Sequence, residues 1–356
     1  MCSISTGNKN TQDKIDDGIY PFYVRSQTVE RINSWTFDGE AILTAGDGVG
    51  VGKVFHHTYG KIGVHQRVYI LSDFKCDANY LFHFFSSKFY NRVKRMSAKN
   101  SVDSVRKEMI TDMSLSLPSH QEQVKIGHLL SLLDERIATQ NKIIDKLQSL
   151  IKGLNNHLCQ QHGNEIETSF ADLGVSYSGL SGKTAADFGS GKPFITYLNV
   201  YSNNVIDETS YQYVRMGNNE KQSIVRYGDV LFTLSSETPE EVGLGSVYLG
   251  NQEVYLNSFC FGIHITNTQK SFSPYLSYYI STTQFRKFIY PFAQGSTRFN
   301  LCKADFEKAT IKLPTLENQK RIYKALKSLS DKIMVEKATL EQYSRQKQYL
   351  LRQMFI

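Results

Sequence analysis

The sequence predicts an α+β protein in which a mixed α/β globular domain followed by a long helix occurs twice. Three features support this prediction: a repeated Leu-Pro segment, a heptad pattern after each copy of it, and short strand-like runs before each copy. The repeated segments read LPSHQEQVKI at 117–126 and LPTLENQKRI at 313–322, an offset of 196 residues. Duplication of a domain together with its helix explains this offset, so we expect an internal pseudo-twofold relationship.

Two long helices are predicted to begin just after the Leu-Pro segments. Ser119 is followed three residues later by Glu122, which is a capping-box signature, and Thr315 opens a weaker version of the same signal. We therefore predict helices over 119–158 and 315–355, each about 55–60 Å long. Helices of this length extend beyond a small domain, so we expect them to pair with each other as an antiparallel coiled coil.

The two helices carry the same seam of apolar residues. Spacings alternate between three and four, which is the pattern of a coiled coil, and the phase is kept in both copies. The predicted seam consists of Ile126, Leu130, Leu133, Ile137, Gln140, Ile144, Leu147, Ile151, Ile322, Leu326, Leu329, Ile333, Glu336, Leu340, Tyr343 and Leu350. Gln140 and Glu336 occupy the same slot. A polar seam residue fixes register at some cost in stability, and we favour that interpretation over contact with a partner.

The globular units correspond segment by segment. FDGEAILT at 37–44 matches RYGDVLFT at 226–233, and VGVGKVF at 49–55 matches VGLGSVY at 242–248. We predict strands at 41–44, 53–57, 64–71, 230–234, 246–249 and 253–265, and amphipathic helices at 78–96 and 274–290. The predicted domains are 1–116, 117–160, 161–312 and 313–356. A lead-in at 163–175 precedes the second unit, and we expect the first unit to lack about a dozen residues of it.

The stretch LTAGDGVGVGK at 43–53 is similar in composition to a phosphate-binding loop but fails the spacing test. A P-loop requires glycine where this chain has Asp47 and a hydroxyl where it has Val54. The second copy reads FTLSSETPEEVGLGS at 232–246, which keeps V-G-x-G and loses the lysine. We interpret the shared V-G-x-G as a fold feature and the differing tips as variable recognition elements.

Composition is compatible with a polyanionic partner and fits a reducing cytoplasm. The net charge is +7 and the pI is near 8.9. No run of about 18 apolar residues predicts a membrane span. The five cysteines are far apart and form no C-x-x-C pair, and the histidines have no metal-type spacing, so we expect neither disulfides nor a metal site. No catalytic motif is found.

Two diverged globular units alternating with two heptad helices resemble the specificity (S) subunit of type I restriction-modification systems. The resemblance covers essentially the whole chain. It is carried by the Leu-Pro openings, by IGHLLSLLDERIATQNKIIDKLQSLIKGL at 126–154, by GEAILTAGDGVGVGKVF at 39–55 and by GSTRFNL at 295–301. It implies two target-recognition domains, each reading one half of an asymmetric bipartite site in double-stranded DNA.

The resemblance also implies partners. The helices would act as a spacer and dock two methyltransferase (M) subunits, and motor-nuclease (R) subunits would complete the complex. The chain itself would be non-catalytic and without a cofactor, with S-adenosylmethionine on M and ATP with magnesium on R. From the helix lengths we expect reading heads on the order of 50 Å apart, or about 15 base pairs.

Candidate DNA contacts are polar residues on predicted loops and one basic helix face. Arginine pairs well with guanine and glutamine with adenine. The candidates in the first unit are Arg25, Gln27, Asp47, Lys53, His65, Gln66 and Arg67, with Gly46-Asp47-Gly48 as the approaching tip. Lys88, Arg92, Arg95 and Lys99 share a helix face that either clamps phosphates or is simply solvated. The candidates in the second unit are Lys183, Tyr197, Asn199, Ser235, Glu237, Arg298 and Asn300.

Three other functions stay open at this point. The main one is a stand-alone or inhibitory DNA-binding coiled-coil protein without a methyltransferase partner. A restriction-methylation fusion fragment would transfer methyl groups itself, and a structural adaptor would bind no DNA sequence selectively.

Overall fold

The chain alternates globular segments with long helices in a computed structural model that describes residues 1–97, 104–162, 165–217 and 220–355. It divides into two units, one made of residues 1–142 with 337–356 and the other of residues 143–336. Each unit therefore holds one globular part and one half of each long helix. This division cuts both helices near their middles, whereas the predicted domain boundaries kept each helix whole.

The elements that precede and include the first long helix are listed here in chain order. The strands are β1 (Ser3–Thr6), β2 (Tyr20–Tyr23), β3 (Val29–Ile32), β4 (Phe37–Asp38), β5 (Ala41–Ala45), β6 (Phe55–Thr58), β7 (Lys61–Val64) and β8 (Val68–Ser72). The helices are α1 (Ala78–Met96), α2 (Lys107–Thr111) and α3 (His120–His162).

The remaining elements belong to the second unit, apart from the last part of the final helix. The strands are β9 (Ile166–Thr168), β10 (Gly174–Ser178), β11 (Phe188–Ile195), β12 (Gln212–Val214), β13 (Val230–Thr233), β14 (Ser235–Ser236), β15 (Gly245–Val247), β16 (Tyr255–Leu256), β17 (Cys260–Ile265), β18 (Ala293–Gln294), β19 (Phe299–Leu301) and β20 (Ile311–Leu313). The helices are α4 (Phe170–Leu173), α5 (Tyr197–Ser202), α6 (Ser273–Tyr279), α7 (Thr283–Ile289), α8 (Lys303–Lys308) and α9 (Leu316–Met354).

The sheets show the duplication directly. The first unit contains an antiparallel sheet of order β1-β8-β5-β6, and the second unit contains its equivalent, β10-β17-β13-β15. Each unit also has a strand that pairs antiparallel on one side and parallel on the other, β2 in the first and β11 in the second. The second unit adds the sheets β14-β19-β18 and β20-β9, so it is the more elaborate copy.

Each core lies between its main sheet and the helix that follows it. In the first unit the apolar face of α1, including Phe85 and Phe89, packs on Ile42 and Leu71 of the sheet. In the second unit α6 and α7 pack on Val230 and Phe232, and the lead-in strand β9 and helix α4 contribute to the same core. The predicted fold class is confirmed by this arrangement.

The long helices pair within each unit. In the first unit Asp134 of α3 forms an ion pair with Lys347 of α9, and Arg136 lies 6.0 Å from the ring of Tyr343. Residue numbers rise along one helix as they fall along the other, so the pairing is antiparallel. In the second unit Ile151 of α3 packs in the same core as Ile322 and Leu326 of α9. All predicted seam positions are buried or half-buried, including Gln140 and Glu336.

A buried glutamine in the first turn of each long helix forms hydrogen bonds that connect the helix to the adjoining globular part. Gln123 accepts a hydrogen bond from the backbone N–H of Asp77 at 3.1 Å and donates to the carbonyl of Pro118 at 2.9 Å. Its counterpart Gln319, 196 residues later, accepts from Phe272 at 2.8 Å and donates to Pro314 at 2.9 Å. The Gln-rich first turns of the repeat therefore serve the junction between helix and domain.

Three secondary-structure predictions were wrong in detail. The predicted strand 64–71 is two strands, β7 and β8, because residues 65–67 form a turn closed by Val68 N–H on the carbonyl of His65 at 2.9 Å. The predicted strand 253–265 is likewise β16 and β17. The predicted helix 274–290 is α6 and α7, because the Thr282 hydroxyl caps a new helix by accepting from Phe285 N–H at 3.1 Å.

The correspondence of the V-G-x-G motifs was also wrong, by two residues. Gly52 has φ of 66° and packs against Val93 of α1, and Gly243 has φ of 63° and packs against Ile289 of α7. These two glycines are therefore equivalent, and so are the buried Val51 and Val242 that precede them. The pair Val49-Gly50 belongs to the tip of the first unit and has no equivalent at Val242-Gly243.

Within the described residues, no helix is long and apolar enough to cross a membrane. The same part of the chain contains no group of three or more His, Cys, Asp or Glu residues arranged to hold a metal ion.

Candidate nucleic-acid interface

One edge of the first unit gathers polar residues from separate turns, which we call the first rim: Lys9, Arg25, Asp47, Gln66, Arg67, Arg106 and Lys107. Backbone hydrogen bonds hold these turns together. Gly46 N–H donates to the carbonyl of Arg67 at 2.8 Å, Val105 N–H donates to Gly46 at 2.7 Å, and Gln66 N–H donates to Lys9 at 2.8 Å. The rim is thus a fixed feature of the fold, although its members are far apart in sequence.

Asp47 lies between two arginines of the first rim. Its Oδ1 is 3.0 Å from Nη1 of Arg25, and its Oδ2 is 3.7 Å from Nε of Arg67. Both arginines are exposed, and the carboxylate is partly covered. Asp47 was predicted to contact bases, and in the structure its carboxylate also lies close enough to orient both guanidinium groups.

Three cations of the first rim were missed by the sequence analysis. Arg106 and Lys107 line a cavity of about 410 Å³ together with Asp47, Gln66 and Arg67. Lys9 forms a backbone bridge with His65. Each comes from a segment with no motif of its own, so only the folded topology brings it to the rim. The rim then has five basic residues around one carboxylate.

The other predicted contacts of the first unit have varied surroundings. His65 is buried, and its Nδ1 accepts from the backbone N–H of Arg67 at 3.0 Å. Burial, helped by nearby Arg25, lowers the pKa of His65, so it serves the turn as a neutral ring and the prediction of base contact is corrected. Gln27 is exposed. The Lys53 ammonium lies 4.8 Å from the ring of Tyr90.

The basic face of α1 is only partly available to DNA. Arg92 donates from Nε to the carbonyl of Met109 at 2.8 Å and from Nη2 to that of Asp112 at 2.7 Å. It caps α2, a role that neither a solvated nor a phosphate-binding interpretation anticipated. Lys88 is half-buried and Arg95 is exposed. Lys99 lies outside the described residues.

The second unit places several predicted residues around the small sheet β14-β19-β18, and we call this set the second rim: Tyr197, Ser235, Glu237, Phe259, Arg298 and Asn300. Ser235 pairs with Asn300 across the sheet, and the Tyr197 hydroxyl donates to the Ser235 carbonyl at 2.8 Å. Arg298 lies 5.9 Å from the ring of Phe259, an exposed aromatic residue that the sequence analysis missed. Glu237 and Asn300 are exposed, and Ser235 is buried.

Two predicted contacts of the second unit serve the fold instead. Lys183 forms an ion pair with Glu220 and donates to the carbonyl of Arg215 at 2.6 Å, with its side chain only 9% exposed. Asn199 is buried and exchanges hydrogen bonds with the backbone of Asp207 at 2.9 and 3.0 Å. Their hydrogen-bonding groups are directed into the protein, which corrects the prediction of base contact for both.

A half-buried arginine supports the loop next to the second rim. Arg286 donates to the carbonyls of Glu240, Val242 and Gly243 at 2.7–2.8 Å. Burial lowers the pKa of Arg286 to about 10. The loop it holds carries Glu237, Glu240 and Glu241, so the second rim combines one exposed arginine with an acidic loop. The two rims therefore differ in charge.

Comparisons with known proteins agree with this architecture. The sequence matches the family described as type I restriction modification DNA specificity domain over residues 1–149 and 183–343. The EcoDI specificity subunit of a type I restriction enzyme from Escherichia coli is 28% identical over 152 residues, which are 43% of this chain and 33% of that subunit. The MjaVIII specificity subunit of Methanocaldococcus jannaschii is 24% identical over 366 residues, covering 94% of this chain and 85% of that subunit.

A solved structure shares the fold. The crystal structure of the type I restriction-modification system S subunit from M. genitalium superimposes with a TM-score of 0.63 at 14% identity, covering 100% of this chain and 94% of its own. The family match spans both globular units and most of both long helices. The chain thus belongs to the type I restriction-modification DNA specificity domain family.

Proposed function

We propose that this chain is the DNA-recognition subunit of a type I restriction-modification complex, and that each unit reads one half of an asymmetric bipartite site. The first rim is the observation that carries this proposal. Five cations from four chain segments lie on this edge, where Asp47 pairs with two of them, and an excess of cations on one surface is the electrostatic footprint expected for a DNA-binding protein.

The two arginines oriented by Asp47 suit base recognition. A guanidinium fork pairs with O6 and N7 of guanine in the major groove, provided that its orientation is fixed. Arg25 and Arg67 have this support, because one carboxylate holds both. Arg106, Lys107 and Lys9 surround them and suit phosphate contacts, which position the protein without reading sequence.

The second rim has the chemistry to read a different half-site. Arg298, Asn300 and Glu237 present a guanidinium, an amide and a carboxylate, which suit guanine, adenine and cytosine respectively. The acidic loop nearby offers fewer phosphate contacts than the first rim. We therefore propose an asymmetric target, with Gln27, Lys53, Lys88, Arg95 and Lys99 as further contacts in the first unit, and Tyr197 and Ser235 as supports in the second.

Each unit also exposes apolar side chains on its share of the long helices. In the first unit Leu129, Leu132 and Tyr349 are exposed, and in the second unit Met334 and Val335 are exposed. Leu129 and Leu132 are one helical turn apart, Met334 and Val335 are adjacent, and such groups of exposed apolar side chains are typical of surfaces that bind a protein partner. We propose that each helical half docks one M subunit, and that R subunits join this assembly.

The proposed division of labour leaves this chain non-catalytic, without a cofactor, in the cytoplasm. S-adenosylmethionine would bind to M, and ATP with magnesium to R. Native mass measurement of the purified complex tests the assembly. Two M subunits per chain are expected, and a complex with one M subunit, or no co-purifying M subunit at all, would reject it.

A domain exchange tests the reading function. The first unit's globular part, residues 1–116, is replaced by that of a relative with a different target, and methylated sites in the host genome are sequenced. The exchange is expected to change one half of the methylated motif. The other half should stay identical to that of the parent protein. A change in both halves, or in neither, would refute separate reading by the two units.

A further inference from the structure

Val49 is the most exposed of the large apolar side chains in the described residues. Its relative exposure is 102%, whereas the next, Ile19, is 70% exposed. Val51, which is equivalent to Val242 of the second unit, is buried. The exposed valine therefore belongs to the pair Val49-Gly50, which only the first unit has. An isolated exposed valine needs no explanation by itself, but this one lies on the loop that carries Asp47.

The tip is held in place by the fold. Val51 N–H donates to the carbonyl of Gly48 at 3.1 Å, and Val54 N–H donates to Gly50 at 3.0 Å. Gly48 has φ of 78°, which favours glycine. Val51 is part of the apolar core beneath the tip. Val49 is therefore presented to solvent by a loop anchored on both sides.

The two glycines beside Val49 both lie close to Arg25. A side chain at Gly50 would come within 2.3 Å of the Arg25 carbonyl, and one at Gly48 within 3.7 Å of its guanidinium. The guanidinium group of Arg25 in turn donates a hydrogen bond to the carboxylate of Asp47. An apolar side chain thus stands beside a fixed guanidinium fork on the first rim.

This pairing fits the chemistry of the major groove. There guanine offers acceptors for an arginine, and thymine offers its 5-methyl group for apolar contact. Side chains that wedge between base pairs in the minor groove are usually larger, such as Phe, Leu, Ile or Met. We propose that Val49 contacts the 5-methyl group of a thymine in the half-site read by the first unit, an inference that rests on the proposed DNA-reading function.

The test removes the same methyl group from the DNA. Binding sites for the full chain, purified with its M subunits, are selected from random-sequence duplexes, and each thymine is then replaced by deoxyuridine. For the parent protein, one thymine in one half-site is expected to matter, with about fourfold weaker binding when its methyl group is lost. Val49→Ala is expected to weaken binding of the unmodified site by a similar factor and to be insensitive to uracil at that position.

Ile19→Ala is the matched control, since it truncates an exposed apolar residue elsewhere in the same unit. It should bind like the parent and keep the full response to uracil. The inference fails, with DNA reading intact, if Val49→Ala keeps that response or if no thymine matters in either half-site. Selection of no preferred sequence by the parent would instead overturn the proposed function and the methyl contact with it. Thermal unfolding of both variants shows whether they are folded.

Discussion

The side-chain oxygen of Gln319 accepts a hydrogen bond from the backbone N–H of Phe272 at 2.8 Å. Gln319 is fully buried. The same amide donates to the carbonyls of Lys270 and Pro314, both at 2.9 Å. One side chain thus satisfies three backbone groups where the last long helix leaves the second unit's globular part.

Replacing Gln319 by Leu should therefore cost about 2–4 kcal/mol in the free energy of unfolding, because it leaves buried polar groups without partners. Urea unfolding measures this cost. Gln342→Leu, on an exposed part of the same helix, is the control and should change stability by less than about 0.5 kcal/mol. Equal effects of the two substitutions would refute the junction role of Gln319.

Two glycines of α3 should respond to alanine with opposite signs. A side chain at Gly127 would come within 2.6 Å of Asp77 Oδ1 and 2.7 Å of the backbone nitrogen of Tyr80, where α1 meets α3. Gly153 has open space around it. Gly127→Ala should lower the free energy of unfolding by about 1–3 kcal/mol, because the added methyl group overpacks the contact. Gly153→Ala should raise it by about 0.5–1 kcal/mol, because alanine favours the helix more than glycine does. Thermal unfolding checks both, and stabilisation by Gly127→Ala would show that the helices are not packed this closely.

Acid should destabilise the first unit through His83. Burial lowers the pKa of His83 to about 4, from an ordinary value of 6.5, despite the carboxylate of Asp134 at 3.8 Å from its Nδ1. As the pH falls from 6.5 towards 4, the unfolded chain takes up the proton first, so stability falls over this range. Between pH 7.5 and pH 5 the free energy of unfolding should fall by about 2 kcal/mol. His83→Gln should flatten the pH dependence, measured by urea unfolding at several pH values, and an unchanged slope would contradict the assignment.

Phosphate contacts should show in the salt dependence of DNA binding. Arg106→Ala with Lys107→Ala removes two cations of the first rim, so the slope of log K against log salt should become shallower by about 2. Lys337→Ala, an exposed lysine on α9, is the control and should leave the slope unchanged. A slope that stays the same in the double variant would remove these residues from the DNA interface.

The long helices and their seam could be predicted from the sequence because a heptad pattern and a capping box are local signals. Helix α1 was predicted at its observed bounds because its amphipathic pattern is also a local signal. The turn at 65–67 was missed, because it contains neither glycine nor proline. The break between α6 and α7 was missed because the cap at Thr282 is a weak signal within an apolar stretch.

The rims were harder to predict than the helices. Arg25, Asp47 and Arg67 were identified from residue type, but their mutual distances depend on three turns that meet only in the folded chain. Lys9, Arg106 and Lys107 carried no signal in the sequence. Conversely, His65, Lys183 and Asn199 have the residue types of base contacts and point inward, since burial is decided by the fold around them.

The central claim is that each unit reads one half of the DNA target, and it is tested most directly by sequencing methylated sites in cells that carry Arg67→Ala or Arg298→Ala. Arg67→Ala should relax the motif in one half-site only, and Arg298→Ala should relax the other half only, with the spacing between halves unchanged in both. If both variants affect the same half, or if either affects both halves, the account of two independent reading units is contradicted.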